Sequence, residues 1–278
     1  MAKTSGAASD RPGARVPTMR DVVFDAPGGR LFARTWGEPG GQDGPAPIVL
    51  LHDSLGCVEL WRDFPARLAV VTGRPVVAYD RLGFGRSDPH PGTLEPDFIR
   101  GEALAGLSPL RAAFGIDRMV LFGHSVGGAM AVAAGAALPA VTEAIITESA
   151  QAFVEDRTIA GVREARSAMR APDQLARLER YHGDKARWVL DAWTETWLSD
   201  AFADWNLDDD LRGVRCPLLA VHGDRDEYGT RAFPERIAAL PAARTEVLIV
   251  EDCGHVPHRE RPEPVLRAVS RFLGLPHG

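Results

Sequence analysis

The chain has 278 residues, 45% of them hydrophobic and 25% charged; that length suits one large α/β domain and is short for two, and that composition excludes disorder over the bulk of the chain. The net charge of −6 and the lack of a basic stripe argue against nucleic acid or an anionic lipid surface as partner. Cys57, Cys216 and Cys253 form neither a zinc pattern nor a disulfide framework, and no run of 18 apolar residues offers a membrane span.

Residues 1–18 are small, polar and proline-bearing, so a disordered lead-in is expected there. They lack the apolar centre of a secretory signal, which with reduced cysteines points to a cytoplasmic protein. Val22–Asp25 and Leu31–Thr35 flank Pro27-Gly28-Gly29 and predict a hairpin. Ile48–His52, Val76–Tyr79, Met119–Phe122, Ala144–Thr147, Leu218–Val221 and Glu246–Val250 are short, apolar and unalternating, the pattern of strands buried on both faces. Helical patterns fall between them at Trp61–Val71, Phe98–Phe114, Val126–Leu138, Arg231–Leu240 and Pro262–Phe272. This alternation predicts the α/β class, with a doubly wound, mostly parallel sheet of eight strands. It lapses between Ala150 and Gly213, a polar, helix-favouring stretch holding Trp188, Trp193, Trp197 and Trp205. A helical insertion over residues 150–213 is expected there, after the sixth strand, between core segments 19–149 and 214–278.

The strongest chemical signal is Gly123-His124-Ser125-Val126-Gly127, a G-x-S-x-G that follows a strand pattern and opens an Ala-rich helix. A nucleophile at such a turn sits in a strained conformation, and the two glycines let strand and helix pass without collision. The helix N-terminus behind the serine favours negative charge. An N-cap role explains Ser125 but neither glycine.

A serine hydroxyl needs a base, and the base needs an orienting acid. Of the histidines after Ser125, His255 lies just past an apolar strand, between Gly254 and Pro257, where a sheet-based site collects its residues. His258, beside Arg259 and Glu260, is expected to face solvent. For the acid, Asp226 sits deeper in its loop than Asp224, which suits a bond to the turn's own backbone. Glu148, at the end of the sixth strand, is the alternative acid. Acyl transfer also needs two N–H donors. Val126 should supply one, and Ser54, in the loop after the third strand, the other. His52 is expected to brace that loop, and Asp80–Asp88 to form a structural turn, since its glycines do not make G-x-G-x-x-G. Trp193 and Trp197 share one helical face; packing of the insertion onto the core and lining of a substrate pocket both fit them.

Taken together, His52–Gly56, Asp80–Ser87, Gly123–Gly128, Gly223–Asp226 and Gly254–Pro257 with Glu260–Glu263 resemble, in order, the α/β-hydrolase superfamily, and within it small bacterial serine hydrolases and esterases with a helical cap. The resemblance implies a Ser125–His255–Asp226 triad, an oxyanion hole at Ser54 and Val126, and a lid formed by residues 150–213. It implies a small-molecule acyl substrate and needs neither metal nor organic cofactor; monomer and homodimer both fit. Ester cleavage is the expected reaction. Lactone, thioester, amide and C–C cleavage suit the same machinery, and a non-catalytic hydrolase-fold binding protein is the remaining alternative. One departure stands out: the usual His-Gly of the oxyanion loop is His52-Asp53 here, and the Asp53 carboxylate is expected to point away from the developing oxyanion.

Overall fold

A computed structural model of the chain describes residues 17–41, 44–169 and 171–274. Most of the expected lead-in falls outside the described residues. The eight strands are β1 (Met19–Ala26), β2 (Gly29–Trp36), β3 (Ile48–Leu51), β4 (Val76–Tyr79), β5 (Met119–His124), β6 (Thr142–Glu148), β7 (Leu218–Gly223) and β8 (Thr245–Val250). They form one sheet in the order β1-β2-β4-β3-β5-β6-β7-β8. β1 and β2 make the expected antiparallel hairpin and β2 runs antiparallel to β4, while all later neighbours are parallel.

In β3 to β7 the unalternating patterns follow from burial on both faces, whereas β8, at the edge of the sheet, is only partly buried and leaves Val247 exposed, against the expectation for Glu246–Val250. Successive side chains leave a strand on opposite sides. Val49, Leu51, Val77, Tyr79, Leu121 and Ile145 enter one core, and Ile48, Leu50, Val76, Ala78, Val120 and Phe122 the other. Helices α1 (Phe64–Thr72) and α11 (Pro262–Phe272) cover the second face. The first face is covered by α2 (Phe98–Glu102), α3 (Ser108–Phe114), α4 (Val126–Ala137), α8 (Asp208–Gly213) and α9 (Ala232–Ala239). Every residue of α4 from Val126 to Gly135 is buried, which its small side chains permit.

One expected helix is interrupted. Phe98–Phe114 contains a π-helical stretch, Ala103–Leu107, between α2 and α3. Tyr79 donates its hydroxyl to Glu102 Oε1 at 2.6 Å, and Gly106 lies so close to both side chains that a Cβ would collide with them. The sheet draws this turn inward, and the glycines at 101 and 106 lower its resistance to the change.

Between β6 and β7 the chain forms α5 (Asp156–Ala168), α6 (Pro172–His182), α7 (Ala186–Trp197) and α8. No strand occurs there among the described residues; a lone bridge pairs Phe153 with Asn206. No helix among the described residues is long and apolar enough to cross a membrane.

The order β4-β3-β5 places the topological switch at β3, where the chain winds first one way and then the other. A crevice opens at the carboxyl ends of the strands flanking such a point. Leu51 is in register with Gly123, and His124 with Glu148, so the loops leaving β3, β5 and β6 emerge side by side.

Candidate active site

Ser125 stands between β5 and α4 at φ 55° and ψ −124°, a conformation that costs on the order of 1–3 kcal/mol. Its N–H donates to the Glu148 carbonyl at 2.8 Å, which ties the turn to β6. The flanking glycines are sterically required: a Cβ on Gly123 would meet the Gly127 carbonyl, and one on Gly127 the Leu51 carbonyl.

His255 and Asp226 come together from the loops after β8 and β7. His255 Nδ1 lies 2.9 Å from both Asp226 oxygens, so it donates to that carboxylate and leaves Nε2 for other work. Burial opposes ionisation of Asp226, but the charge and hydrogen bond of His255, with His222 and the Tyr228 N–H, outweigh it and hold its pKa below the ordinary carboxylate value. The Tyr228 ring packs edge-on against His255, with centroids 4.8 Å apart. Asp224 turns the other way and accepts from the Cys253 N–H at 3.1 Å.

Ser125 and His255 line the same cavity, but no hydrogen bond joins them. Among the described residues the partner of Ser125 Oγ is the buried Gln151 carboxamide, whose Nε2 lies 3.4 Å away and Oε1 3.5 Å away. Catalytic hydrogen bonds are often loose before substrate arrives.

Glu148 does not reach His255. Its Oε2 lies 2.5 Å from His258 Nδ1, and both side chains are buried. His258 therefore departs from the expectation of solvent exposure. Pro257 opens a short helix, α10 (Pro257–Glu260), and turns His258 inward against Trp61 and Phe64, with ring centroids 4.6 and 5.3 Å away. Burial pushes the His258 pKa down despite Glu148.

Of the two expected oxyanion donors, Val126 follows the serine in the chain and Ser54 lines the same cavity. Val126 is the first residue of α4, so its N–H has no acceptor within the helix. At Ser54 the peptide orientation follows from its neighbour. The Asp53 carbonyl accepts from His52 Nδ1 at 2.8 Å and from Arg81 Nη2 at 2.9 Å. In a trans peptide the next N–H points the opposite way, away from His52 and Arg81, and among the described residues it donates to no protein acceptor. The Asp53 side chain is also engaged away from that N–H, with Oδ1 accepting from the Leu55 N–H at 2.8 Å and Oδ2 lying 3.2 Å from His124 Nδ1. Asp80–Asp88 is a structural turn, in which Asp80 accepts from the Val58 and Arg86 N–H groups.

The cavity measures about 110 Å³ and is lined by Asp53, Ser54, Leu55, Ser125, Gln151 and His255, with Thr158, Val162, Trp193, Trp197 and Tyr228 closing it. Trp197 meets both expectations at once, since it lines the cavity and is also buried in the main core beside Phe202 and Trp205. Trp193 packs on Tyr228. A larger cleft of about 710 Å³ around Arg81 and Glu102 shares no lining residue with this one.

His124, Glu148 and His258 offer three ligand atoms within 4.8 Å of one another. Those atoms are largely committed: both His124 nitrogens face other acceptors, and His258 Nδ1 faces Glu148. The set fits a hydrogen-bonded cluster better than a metal site.

Sequence reasoning passed over Gln151, Tyr228 and His124. Gln151 and Tyr228 each lie two or three residues beyond a residue already singled out, Glu148 and Asp226, and their distance past a strand end was the available signal.

This fold and this site define a class. Residues 48–268 match the alpha/beta hydrolase family, and the chain belongs to it. Over 109 residues, 39% of the chain, it is 34% identical to a 1-acylglycerol-3-phosphate O-acyltransferase of Homo sapiens. The chain spans about a third of the length of the curated relatives it matches. Among solved structures it is similar to a membrane phospholipase A described as a bacterial virulence factor (TM-score 0.71, 21% identity, 92% of this chain and 86% of that one). It is also similar to a carboxylesterase of Bacillus subtilis (TM-score 0.69, 20% identity, 92% of each chain).

Proposed function

We propose that the protein is a serine hydrolase that cleaves a carboxylic ester of a small or medium substrate through an acyl-enzyme. The observation that carries this reading is the His255 imidazole, held by both oxygens of buried Asp226 at 2.9 Å, in one cavity with a serine at a strained strand-to-helix turn. Ser125 Oγ attacks the ester carbonyl while His255 Nε2 takes its proton. The tetrahedral oxyanion rests on the Ser54 and Val126 N–H groups, and the helix N-terminus of α4 adds to their field. His255 returns the proton to the departing alcohol. Water, deprotonated by the same nitrogen, then releases the acid. Asp226 keeps Nδ1 protonated and stabilises the transient imidazolium. The acyl chemistry in the name of the human relative is consistent with this assignment.

The cavity bears on the acyl group. A water needs roughly 10–15 Å³ of such volume, so about 110 Å³ suits a short acyl chain. In this reading α5 and α7 serve as a lid, since Thr158, Val162, Trp193 and Trp197 close the cavity from that side.

A fluorophosphonate probe should label the wild-type protein and fail to label Ser125→Ala. Among p-nitrophenyl esters, acetate and butyrate should be turned over faster than decanoate. Equal labelling of the two proteins would falsify serine catalysis; turnover of a lactone, thioester or vinylogous diketone with none of the short esters would replace the ester assignment.

A further inference from the structure

Behind the nucleophile turn lies a histidine to which the mechanism above gives no part. His124 is buried, and each of its ring nitrogens faces an acceptor. Nδ1 is 3.2 Å from Asp53 Oδ2, and Nε2 is 2.8 Å from the His255 carbonyl oxygen. Neither acceptor can donate, so both bonds form only when the ring carries two N–H groups.

We propose that His124 is a positioning residue, which by donating from both nitrogens ties the loop that carries Ser54 to the main chain of the base His255, directly behind Ser125. This inference rests on the serine-hydrolase reading of the site. The geometry makes the tie specific. The Asp53 carboxylate spans Ser54, bonding the Leu55 N–H with one oxygen and facing His124 with the other. The carbonyl that His124 holds belongs to the residue that must reach Ser125 Oγ. One ring thus sets the oxyanion donor and the base in a common frame, and the peptide that joins it to Ser125 completes that frame.

Charge supports the geometry. The groups facing His124 are Asp53 from the loop after β3, Glu148 from the end of β6, and His255 and His258 from the loop after β8 and α10. His258 is kept neutral by burial, and so is His52 on the far side of Asp53, where burial and the Arg81 charge both act. Two carboxylates therefore flank one imidazole that can answer them. Burial opposes a charge on His124, but the hydrogen bond and charge of Asp53, with the charge of Glu148, outweigh it and push the pKa up to about 9. The double tie should hold below that pH and fail as pH rises through it.

The test is the pH profile of kcat/KM on a short ester between pH 6 and 10.5, with three forms of the protein. Wild type should lose activity on an alkaline limb near pH 9. Asp53→Asn should lack that limb, because a carboxamide N–H can donate to a neutral His124 Nδ1 and leave Nε2–H for the carbonyl at every pH. Asp53→Ala cannot make the tie at all, and its kcat should fall tenfold or more with KM within threefold of wild type. An unchanged limb in Asp53→Asn, or wild-type kinetics in Asp53→Ala, overturns the proposal. If the variants do not fold, 15N-histidine NMR of the wild-type protein decides. Two ring N–H protons at pH 7.5 on His124, the imidazole that contacts both the His255 and the His258 ring, with one lost through pH 9, support the proposal, and a single one at pH 7.5 overturns it. Labelling of wild type by the fluorophosphonate probe separates the two readings: without labelling the hydrolase assignment itself fails, while normal labelling with an unaltered profile removes only the role of His124.

Discussion

Two histidine–carboxylate pairs flank the His124 ring, and only one of them borders the cavity that holds Ser125. His255–Asp226 and His258–Glu148 are three residues apart on the histidine side, and in both a ring Nδ1 faces a buried carboxylate. Their surroundings differ. The His255 ring borders the cavity that holds Ser125, with its side chain 11% exposed. The His258 ring is packed on Trp61 and Phe64, 4% exposed, and does not border that cavity. A pair becomes a base when its free nitrogen has access to substrate; the same pair without access is a strut. Between the two rings stands His124, which touches the loop of one and the electrostatics of the other.

Exchanging one acid at a time gives the largest contrast. Asp226→Asn removes the group that sets the His255 tautomer and should lower kcat by about 10³- to 10⁴-fold at pH 7. Glu148→Gln should lower kcat less than tenfold yet cost about 1–3 kcal/mol of stability in urea unfolding, because a buried bonded carboxylate is lost. Equal kinetic losses from the two variants would break the comparison. Selectivity should respond next. Trp193→Ala enlarges the cavity without touching either pair, and should raise the octanoate-to-butyrate ratio of kcat/KM by roughly 10-fold, the scale on which hydrophobic pockets discriminate.

The smallest effect expected is on stability against pH, where Asp226 and His124 carry opposite signs. Asp226 is held below its ordinary pKa, so its contribution is present above about pH 4 and fades as pH falls further. His124 is held above its ordinary pKa. Its contribution is fully present below about pH 6.5 and is lost as pH rises through about 9. The melting temperature should therefore decline by a few degrees between pH 7 and 9.5 in wild type and stay flatter in Asp53→Asn, as scanning calorimetry would show.

Much of this was legible in the sequence, for identifiable reasons. Strands buried on both faces must be continuously apolar, so β3 to β7 stood out; β8 reads the same way although it is an edge strand and only partly buried, and the hairpin was marked by its Pro-Gly-Gly. The elbow was legible because its two glycines have no substitute at that crossing. The interruption at Ala103–Leu107 was not, since it depends on Tyr79 reaching Glu102 from a strand more than 20 residues away. His258 was misjudged for a similar reason. Its neighbours Arg259 and Glu260 are exposed, and only the inward turn of α10 against Trp61 gives the ring somewhere to go.

The sequence by itself determined the sheet, the position of Ser125 and the order of the residues that could serve it, because local pattern and backbone sterics suffice for these. Tertiary structure alone decided which carboxylate meets which histidine. Glu148 ends β6 and Asp226 lies in the loop just past β7, while His255 and His258 are only three residues apart, so no local rule separates the four pairings. The distances across β6, β7 and β8 do, and they also set His124 between Asp53 and His255, a link among three segments that no stretch of sequence contains.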